Sequence, residues 1–211
     1  MPLFLKHRIL FIHIPKCGGS TVSWVMKNLQ DPPFLYIEDG SVVVNGHSAQ
    51  HMTWQEICRV GWTTPPDFRV AALVRHPIDR VISEFRYLRK RRTELSSLAP
   101  DPSTFLDHFL SKDQAVSETF DQHNLGMLDY LKNLNGIVDP DILIRPLQEI
   151  DIWLEDLGIV PAIPLDRQNV TRGLEIFPVF SQNDIDRIKS FYSEDILWFE
   201  ARFPHYPPEL I

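Results

Sequence analysis

The sequence predicts an α/β fold of three layers, in which helices flank a mainly parallel central sheet. Three short apolar runs have the unbroken pattern of strands buried on both faces, and helical patterns follow them. These runs are residues 8–14, 69–75 and 141–146. Strands that alternate with helices are typical of parallel sheets. Because ligands of such sheets bind beyond the carboxyl ends of the strands, we expect the functional site there.

The helices are predicted from apolar side chains at helical spacing. They cover residues 22–29, 54–60, 78–88, 147–159 and 182–203, with two more inside 103–134. The helix over 54–60 has an additional signal, because Thr53 and Glu56 fit a capping box. Between the first two strand–helix units, residues 34–44 predict two short strands about a turn at Asp39-Gly40.

Length and charge narrow the functional classes. The 211 residues fit one domain, 1–211, which is long enough to bury a full core. The net charge of −7 and the pI near 5.6 argue against a protein that binds nucleic acid along its length without sequence preference, because such proteins usually have a basic surface. We therefore expect no nucleic-acid partner. The number of subunits is left open.

The cysteines and the N-terminal segment indicate the compartment in which the protein is expected to act. Cys17 and Cys58 cannot build a disulfide framework and do not form a metal-binding pair, so a reduced, cytoplasmic setting is expected. Lys6, His7 and Arg8 interrupt the apolar N-terminal run. The run is therefore too short for a signal peptide or a membrane helix, and we expect no membrane span in this chain.

The segment FIHIPKCGGSTV, residues 11–22, ends the first strand in a glycine turn that carries one cation and two hydroxyls. Glycines let successive backbone N–H groups turn toward one point, and the following helix N-terminus adds positive potential. With Lys16, Ser20 and Thr21 as further donors, the turn is predicted to bind a phosphate-like anion. The alternative is an ordinary strand-to-helix turn with a serine cap. The turn does not fit a Walker A loop, in which the lysine directly follows the last glycine, because Lys16 precedes both glycines.

A second anion site is predicted in VRHPIDRVISEFRYLR. Arg75 ends the second strand, so it is expected at the same sheet edge as the glycine turn. Ser83 lies about two turns along the following helix, and a guanidinium and a hydroxyl at this spacing suit a separate phosphate. The alternative is an arginine that caps a strand and a serine that faces solvent.

Together the two motifs resemble those of a known enzyme family. HIPKCGGST is similar to the 5′-phosphosulfate loop of sulfotransferases that use 3′-phosphoadenosine 5′-phosphosulfate (PAPS). RHPIDRVISEF is similar to their 3′-phosphate motif. The nearest likeness is to Golgi-type carbohydrate sulfotransferases, the group of heparan sulfate 2-O-sulfotransferase, and their bacterial relatives. These chains also end in a helix with Tyr-x-x-Asp followed by aromatics, as in YSEDILWFEARF. The likeness covers most of the chain but is weak over residues 90–135.

The resemblance implies a P-loop-like fold, PAPS as cosubstrate and residues that bind it. The 5′-phosphosulfate is assigned to Lys16, Cys17, Gly18, Gly19, Ser20 and Thr21. The 3′-phosphate is assigned to Arg75 and Ser83. Thr171 and Arg172 fall where relatives have a late loop that closes over the nucleotide. Cys17 departs from the pattern, since a threonine or serine is common there. A side-chain donor is thereby lost, while the backbone N–H remains.

Sulfuryl transfer needs a proton acceptor for the attacking hydroxyl and stabilisation of the leaving oxygen. Lys16 is predicted to stabilise that oxygen, and His47 is predicted to be the base, because an imidazole titrates near neutral pH. Gly46-His47 also resembles the pair that carries the catalytic histidine in the 2-O-sulfotransferase group. His51 is the reserve base, and Glu38 is a distant alternative.

No metal is predicted. His47 and His51 have the His-x-x-x-His spacing of zinc enzymes, but Ser48 stands where a zincin has glutamate. Gly46 argues against a helix through His47, and no third ligand stands out. Three other histidines are expected to be held by packing: His13, His76 and His108.

The acceptor is predicted to be a hydroxyl, most simply on a carbohydrate. The basic run over residues 86–92 would attract an anionic glycan, although such runs are more often solvated helix faces. Trp54, Trp62 and Trp153 suit either sugar stacking or the core. Two other functions stay open: a nucleotide-dependent kinase or phosphotransferase, and a non-catalytic module that binds PAPS or its product, adenosine 3′,5′-bisphosphate (PAP).

Overall fold

The computed structural model of the chain describes residues 2–34, 43–61, 67–91, 97–161, 165 and 178–209. The chain divides into two compact units, which are described separately. The first unit consists of Met1–Val74 and Met127–Asn169, and the second of Arg75–Gly126 and Val170–Ile211. The expectation of one domain over 1–211 stays a prediction.

The first unit contains a four-stranded sheet built from β1 (Leu3–Phe4), β2 (Ile9–Ile12), β5 (Arg69–Val74) and β6 (Leu143–Pro146). The strand order is β1-β2-β5-β6. The two inner pairs are parallel, whereas β1 is an antiparallel edge strand that the sequence analysis does not predict. The predicted α/β class, with a mainly parallel central sheet flanked by helices, is confirmed.

The two central strands are buried on both faces. All four residues of β2 are buried, and so are the last four of β5, Ala71–Val74. A strand covered on both sides has no solvent face, so its apolar residues follow one another without alternation. This burial explains why the sequence pattern located these strands.

Among its described residues, the first unit has four helices: α1 (Gly19–Asn28), α2 (Trp54–Arg59), α6 (Met127–Leu131) and α7 (Ile150–Asp156). The predicted capping box of α2 is confirmed, because Thr53 N–H donates to Glu56 Oε2 at 2.8 Å and Glu56 N–H donates to Thr53 Oγ1 at 3.2 Å. The helix predicted over 147–159 is shorter than expected, since Leu147–Glu149 form a 3-10 turn before α7.

His47 lies on a small β-hairpin of the first unit. β3 (Val43–Val44) pairs antiparallel with β4 (His47–Ser48). The turn between them is Asn45-Gly46, and both residues have positive φ, 51° and 87°. A two-residue turn of this kind matches the twist of the flanking strands, which favours Asn-Gly. The turn predicted at Asp39-Gly40 lies outside the described residues.

The second unit is helical in the part that the structure describes. Its helices are α3 (Pro77–Arg91), α4 (Pro102–Phe109), α5 (Gln114–Thr119), α8 (Gln182–Phe191) and α9 (Ser193–Arg202). They share an apolar core in which Phe85, Phe105 and Ile188 are fully buried. Residues 103–134 thus contribute to three helices, α4 to α6, instead of two.

The single helix predicted over 182–203 is wrong, because the chain breaks it at Tyr192. Tyr192 is buried, and its hydroxyl donates to the Asn124 carbonyl at 2.6 Å. The next helix then begins at Ser193 with an acidic first turn, which favours a helix N-terminus at this point. The apolar spacing continues through the break and therefore conceals it.

Over the described residues, none of the helices combines the length and the apolar character that a membrane crossing requires. The cytoplasmic setting stays a prediction.

Candidate active site

The glycine turn after β2 has the backbone geometry of an anion cradle. Lys16 and Gly18 both have left-handed backbone angles, with φ of 66° and 87°. Gly18 is the residue before α1, and its carbonyl accepts the N–H groups of Thr21 and Val22 at 3.0 and 3.1 Å. Left-handed residues in alternation with other conformations turn successive N–H groups toward one side, which is how backbone nests hold anions.

Three amides of this turn are available to a ligand. In the described part of the chain, the N–H groups of Gly18, Gly19 and Ser20 donate to no protein acceptor. They lie at the N-terminus of α1, where the helix dipole is positive, and the first turn of α1 has no acidic residue. Lys16 adds a full positive charge. The segment therefore offers donors and positive potential to one anionic group.

The two glycines are required by close packing within the first unit. A Cβ on Gly19 would lie 2.0 Å from His13 Nε2, because the imidazole ring covers the glycine. A Cβ on Gly18 would lie 2.5 Å from Leu147 Cδ1, and the positive φ of Gly18 disfavours any side chain. His13 also stacks on Phe11 at 5.8 Å between ring centroids, so the ring is fixed from two sides.

This packing predicts the effect of Gly19→Ala. The added methyl must displace an imidazole held by Phe11, and overpacking of this kind costs about 1–3 kcal/mol. We expect chemical denaturation to show a lower free energy of unfolding for Gly19→Ala. Ser20→Ala, at the next position of the same helix, is the control and should change that free energy much less. Equal stability of the two variants would contradict the packing described.

The structure gives Cys17 a role in the turn itself. The side chain is 1% exposed and lies in the core, and the thiol is not in a disulfide. The Cys17 N–H donates to the Ile14 carbonyl at 3.3 Å. This amide was expected to remain for the anion, but in the structure it helps to close the turn.

His47 is held in a buried pair with Glu56. Its Nε2 lies 2.9 Å from Glu56 Oε1, and its Nδ1 lies 3.0 Å from the Ser48 carbonyl. The His47 residue is 3% exposed. Burial alone would raise the pKa of Glu56, but hydrogen bonds from His47 and from Thr53, with the charge of His47, lower it to about 2. Glu56 is therefore a carboxylate that caps α2 and anchors the imidazole.

Both of these contacts of His47 are to hydrogen-bond acceptors. A carboxylate and a carbonyl are both acceptors, and a ring that donates to both of them carries two N–H groups, as an imidazolium does. His47 can therefore accept a proton only after one of these two contacts opens. His51, the reserve base, is also buried, and its ring packs edge-on against His13 at 5.0 Å between centroids.

The lowered pKa of Glu56 predicts an acid-sensitive contribution to stability. A carboxyl whose folded-state pKa lies below its unfolded value of 4.5 stabilises the fold above pH 4.5, and this contribution is lost as the pH falls toward 2. It amounts to at most about 3 kcal/mol. Glu56→Gln retains a residue that can cap α2 but removes the charge.

We expect acid titration of the free energy of unfolding to fall less steeply between pH 4.5 and 2 in Glu56→Gln than in the natural protein. Glu155→Gln, at an exposed position of α7, is the matched control and should follow the natural curve. Parallel curves for the natural protein and Glu56→Gln would show that the Glu56 charge has no such role.

The second motif begins where β5 ends. Arg75 directly follows Val74 and is half-buried, and Ser83 is half-buried on α3. Arg80, which lies between them, is 2% exposed and donates to the carbonyls of Leu125 and His123 at 2.6 and 2.7 Å. Arg75 and Ser83 therefore remain the candidate anion-binding residues of this motif. Arg80 instead stabilises the loop that contains His123 and Leu125.

A sequence model described as "Sulfotransferase family" matches residues 4–135, which is more than half of the chain. The chain belongs to the sulfotransferase family. It is thus an enzyme that transfers sulfate, and the acceptors of such enzymes carry hydroxyl groups. The matched range contains the glycine turn, His47, Arg75 and Ser83. Comparisons with curated proteins and with solved structures found no match.

Around Arg75 the sulfotransferase has a cluster of charged groups that the sequence analysis does not predict. Asp79 is 4% exposed, and both of its carboxylate oxygens accept the N–H of Glu209, at 3.0 and 3.1 Å. Burial and, to a smaller extent, the charge of the Glu209 carboxylate raise the pKa of Asp79, while the Glu209 N–H and the charges of Arg75 and His76 act in the opposite direction. His76 is fully buried, as expected, and burial lowers its pKa.

A second histidine–carboxylate pair of the sulfotransferase was also missed. His123 Nδ1 lies 2.7 Å from Glu84 Oε2, and Glu84 is 2% exposed. The loop before His123 contains two consecutive left-handed residues, Asp121 and Gln122, with φ of 50° and 63°. Neither is glycine, so tertiary contacts such as those of Arg80 hold this conformation. A single histidine in a polar segment gives no sequence signal for such a pair.

Other predicted site residues fall in different environments. Thr171, Arg172, Glu38 and Trp62 lie outside the described residues. Trp153 is fully buried, and the Trp54 indole N–H donates to Asp139 Oδ2 at 2.9 Å from a position that is 9% exposed. These two tryptophans therefore belong to the core of the first unit, which was one of the two roles open for them.

Proposed function

We propose that this sulfotransferase transfers the sulfuryl group of PAPS to a hydroxyl group of a carbohydrate acceptor. The observation that carries the proposal is the glycine turn, with three available amides and Lys16 at a helix N-terminus, in a chain of this family. An anion with several oxygens needs this combination of donors and charge.

The residues of the turn fit a phosphosulfate. The N–H groups of Gly18, Gly19 and Ser20 would hold it, with the Ser20 and Thr21 hydroxyls as further donors. The absence of side chains at Gly18 and Gly19 lets Leu147 and His13 pack against the turn, which fixes its backbone conformation. Cys17, which was also assigned to this group, would act through the shape of the turn, because its N–H donates to Ile14.

Arg75 and Ser83 are proposed to bind the 3′-phosphate, since a guanidinium and a hydroxyl supply charge-assisted and neutral hydrogen bonds to such a group. Thr171 and Arg172 are proposed to close over the nucleotide. Discrimination between PAPS and other adenine nucleotides would then depend on Arg75 and Ser83.

Lys16 is proposed to stabilise the negative charge that develops on the bridging oxygen as the bisphosphate product departs. Charge at the position where it develops is among the strongest contributions to catalysis. A sulfuryl group carries less charge than a phosphoryl group, so a single lysine suffices without a metal ion in this proposal.

His47 is proposed as the general base, and Glu56 as the group that orients it. The imidazole must first release a proton or exchange one of its two present contacts, since both nitrogens face acceptors. Opening of the Nδ1 contact to the Ser48 carbonyl, with release of the Nδ1 proton to solvent, would leave Nε2–H on Glu56 and an Nδ1 lone pair for the acceptor hydroxyl. Histidine–carboxylate pairs use this arrangement to fix the tautomer.

A carbohydrate acceptor and a relationship to the heparan sulfate 2-O-sulfotransferase group are proposed from the resemblance of the motifs. The basic run over 86–92 supports an anionic glycan, since Lys90 is exposed on α3. Action in the cytoplasm, without a nucleic-acid partner, remains part of the proposal.

The proposal is tested by incubating the protein with PAPS that carries labelled sulfate and with a panel of neutral and anionic glycans. We expect label on at least one glycan and release of PAP. Tight PAP binding without transfer to any acceptor would favour a non-catalytic module. Phosphate transfer from ATP with Mg²⁺, without PAPS binding, would favour a kinase and would contradict the proposal.

A further inference from the structure

The segment that follows α9 is tied back to the start of α3 within the second unit. Phe203 packs against Phe199 of α9, with 5.2 Å between the ring centroids. Further along, the Glu209 N–H donates to both carboxylate oxygens of Asp79, at 3.0 and 3.1 Å. Residues 203–209, called here the C-terminal strap, therefore connect the end of one helix to the first turn of another.

Asp79 occupies a position of α3 from which a side chain often caps the helix. The His76 carbonyl accepts the Arg80 N–H at 3.0 Å, so His76 is the residue before α3 and Asp79 is the third residue inside it. A carboxylate at this position commonly folds back over the helix N-terminus and accepts the N–H of the residue before the helix. In the described part of the chain, Asp79 accepts the N–H of Glu209 in place of that one.

Arg75 lies at the same end of α3. It directly precedes His76, and helix side chains lean toward the N-terminus of their helix, so the Asp79 side chain leans toward Arg75. Asp79 also acts on Arg86, but Arg86 lies about two turns further along α3, away from that end. Over the described residues, Arg75 takes part in no hydrogen bond or ion pair, although its charge lowers the pKa of Asp79. Arg75 is therefore the cation that the Asp79 side chain can reach most directly.

The buried Asp79 carboxylate needs a hydrogen-bond donor, because an unsatisfied buried charge is strongly unfavourable. Asp79 is 4% exposed, so water has little access to replace the Glu209 N–H. His76 is a poor replacement, since burial lowers its pKa and favours the neutral ring. The Glu209 carboxylate is an acceptor of like charge and cannot serve. Without the strap, a pair with the Arg75 guanidinium would satisfy the Asp79 oxygens.

We propose that the C-terminal strap positions the nucleotide site: the Glu209 N–H holds the Asp79 carboxylate and thereby keeps the Arg75 guanidinium available to a 3′-phosphate. This inference rests on the proposed function, in which Arg75 binds that phosphate. Asp79 and Glu209 do not contact the nucleotide in this arrangement and act through Arg75. Loss of the tie should therefore affect nucleotides that carry a 3′-phosphate and spare those that lack it.

Calorimetric titration of the full chain with PAP and with adenosine 5′-monophosphate, which lacks the 3′-phosphate, tests this role. Glu209→Pro removes the donor, because proline has no backbone N–H. We expect it to weaken PAP binding by about 10- to 100-fold, the range for a lost charge-assisted hydrogen bond, and monophosphate binding by less than about threefold. Glu209→Ala is the matched control. It keeps the N–H and removes only a negative charge, so PAP binding should not weaken.

Asp79→Asn provides a second background for the same change. Asparagine can accept the strap N–H but has no charge with which to pair Arg75. In this background, Glu209→Pro should weaken PAP binding by less than about threefold, since the effects of the two changes are coupled. A loss as large as in the natural background would contradict the inference.

The preference for PAP over the monophosphate separates this inference from the proposed function. If the natural protein prefers PAP, and Glu209→Pro either keeps that preference or weakens both nucleotides equally, the strap has no such role and the proposed function stands. If the natural protein shows no preference for PAP, the assignment of Arg75 and Ser83 to the 3′-phosphate fails, and the role of the strap fails with it.

Discussion

Lys16→Met is expected to reduce the rate of sulfate transfer by about 100- to 1,000-fold, the loss seen when one electrostatic donor to a transition state is removed. Lys16 provides the full positive charge of the glycine turn, next to three uncharged amides. Methionine has a similar length and is also unbranched, so the turn should retain its shape. The measurement is the transfer of labelled sulfate from PAPS under saturating conditions.

Lys27→Met, in the last turn of the same helix, is the control for Lys16→Met. It removes one positive charge from the exposed end of α1, far along the helix from the glycine turn, and should leave the rate within about twofold, since single surface charges have small effects. A Lys16→Met enzyme that works at the natural rate would exclude Lys16 from the chemistry.

His47→Gln is expected to reduce kcat by about 100- to 10,000-fold, which is the range for the loss of a general base. The glutamine amide can still donate to Glu56, so the half-buried carboxylate keeps a hydrogen-bond partner and the fold should persist. Because the variant leaves the glycine turn unchanged, its affinity for PAP should stay near the natural value.

The result has two informative controls. His108 is exposed on α4, so the expectation that packing holds it is wrong, and His108→Gln should behave as the natural protein does. Loss of PAP affinity together with kcat in His47→Gln would indicate a damaged structure and not a lost base. An unchanged kcat would contradict the role of His47 and would direct attention to the Glu84–His123 pair.

The parallel sheet could be predicted because strands buried on both faces consist of consecutive apolar residues, as in ILFI of β2 and ALV of β5. The hairpin that contains His47 is also indicated by a sequence pattern. Asn45-Gly46 after three valines is a strong hairpin signal, whereas the turn that the sequence analysis predicts, at Asp39-Gly40, lies outside the described residues. The edge strand β1 is two residues long and has no periodicity to detect.

The site was predictable only where its members are neighbours in sequence. The glycine turn is one continuous segment, and the capping box joins Thr53 to Glu56 three residues later. The second role of Glu56 depends on the position of His47, which only the fold determines.

A crystal structure of the protein with bound PAP tests most directly the central claim that the glycine turn binds the 5′-phosphate of this nucleotide. We predict the 5′-phosphate within hydrogen-bond distance of the N–H groups of Gly18, Gly19 and Ser20, and the 3′-phosphate against Arg75 and Ser83. A nucleotide bound elsewhere, or bound with neither phosphate at the glycine turn, would contradict the claim.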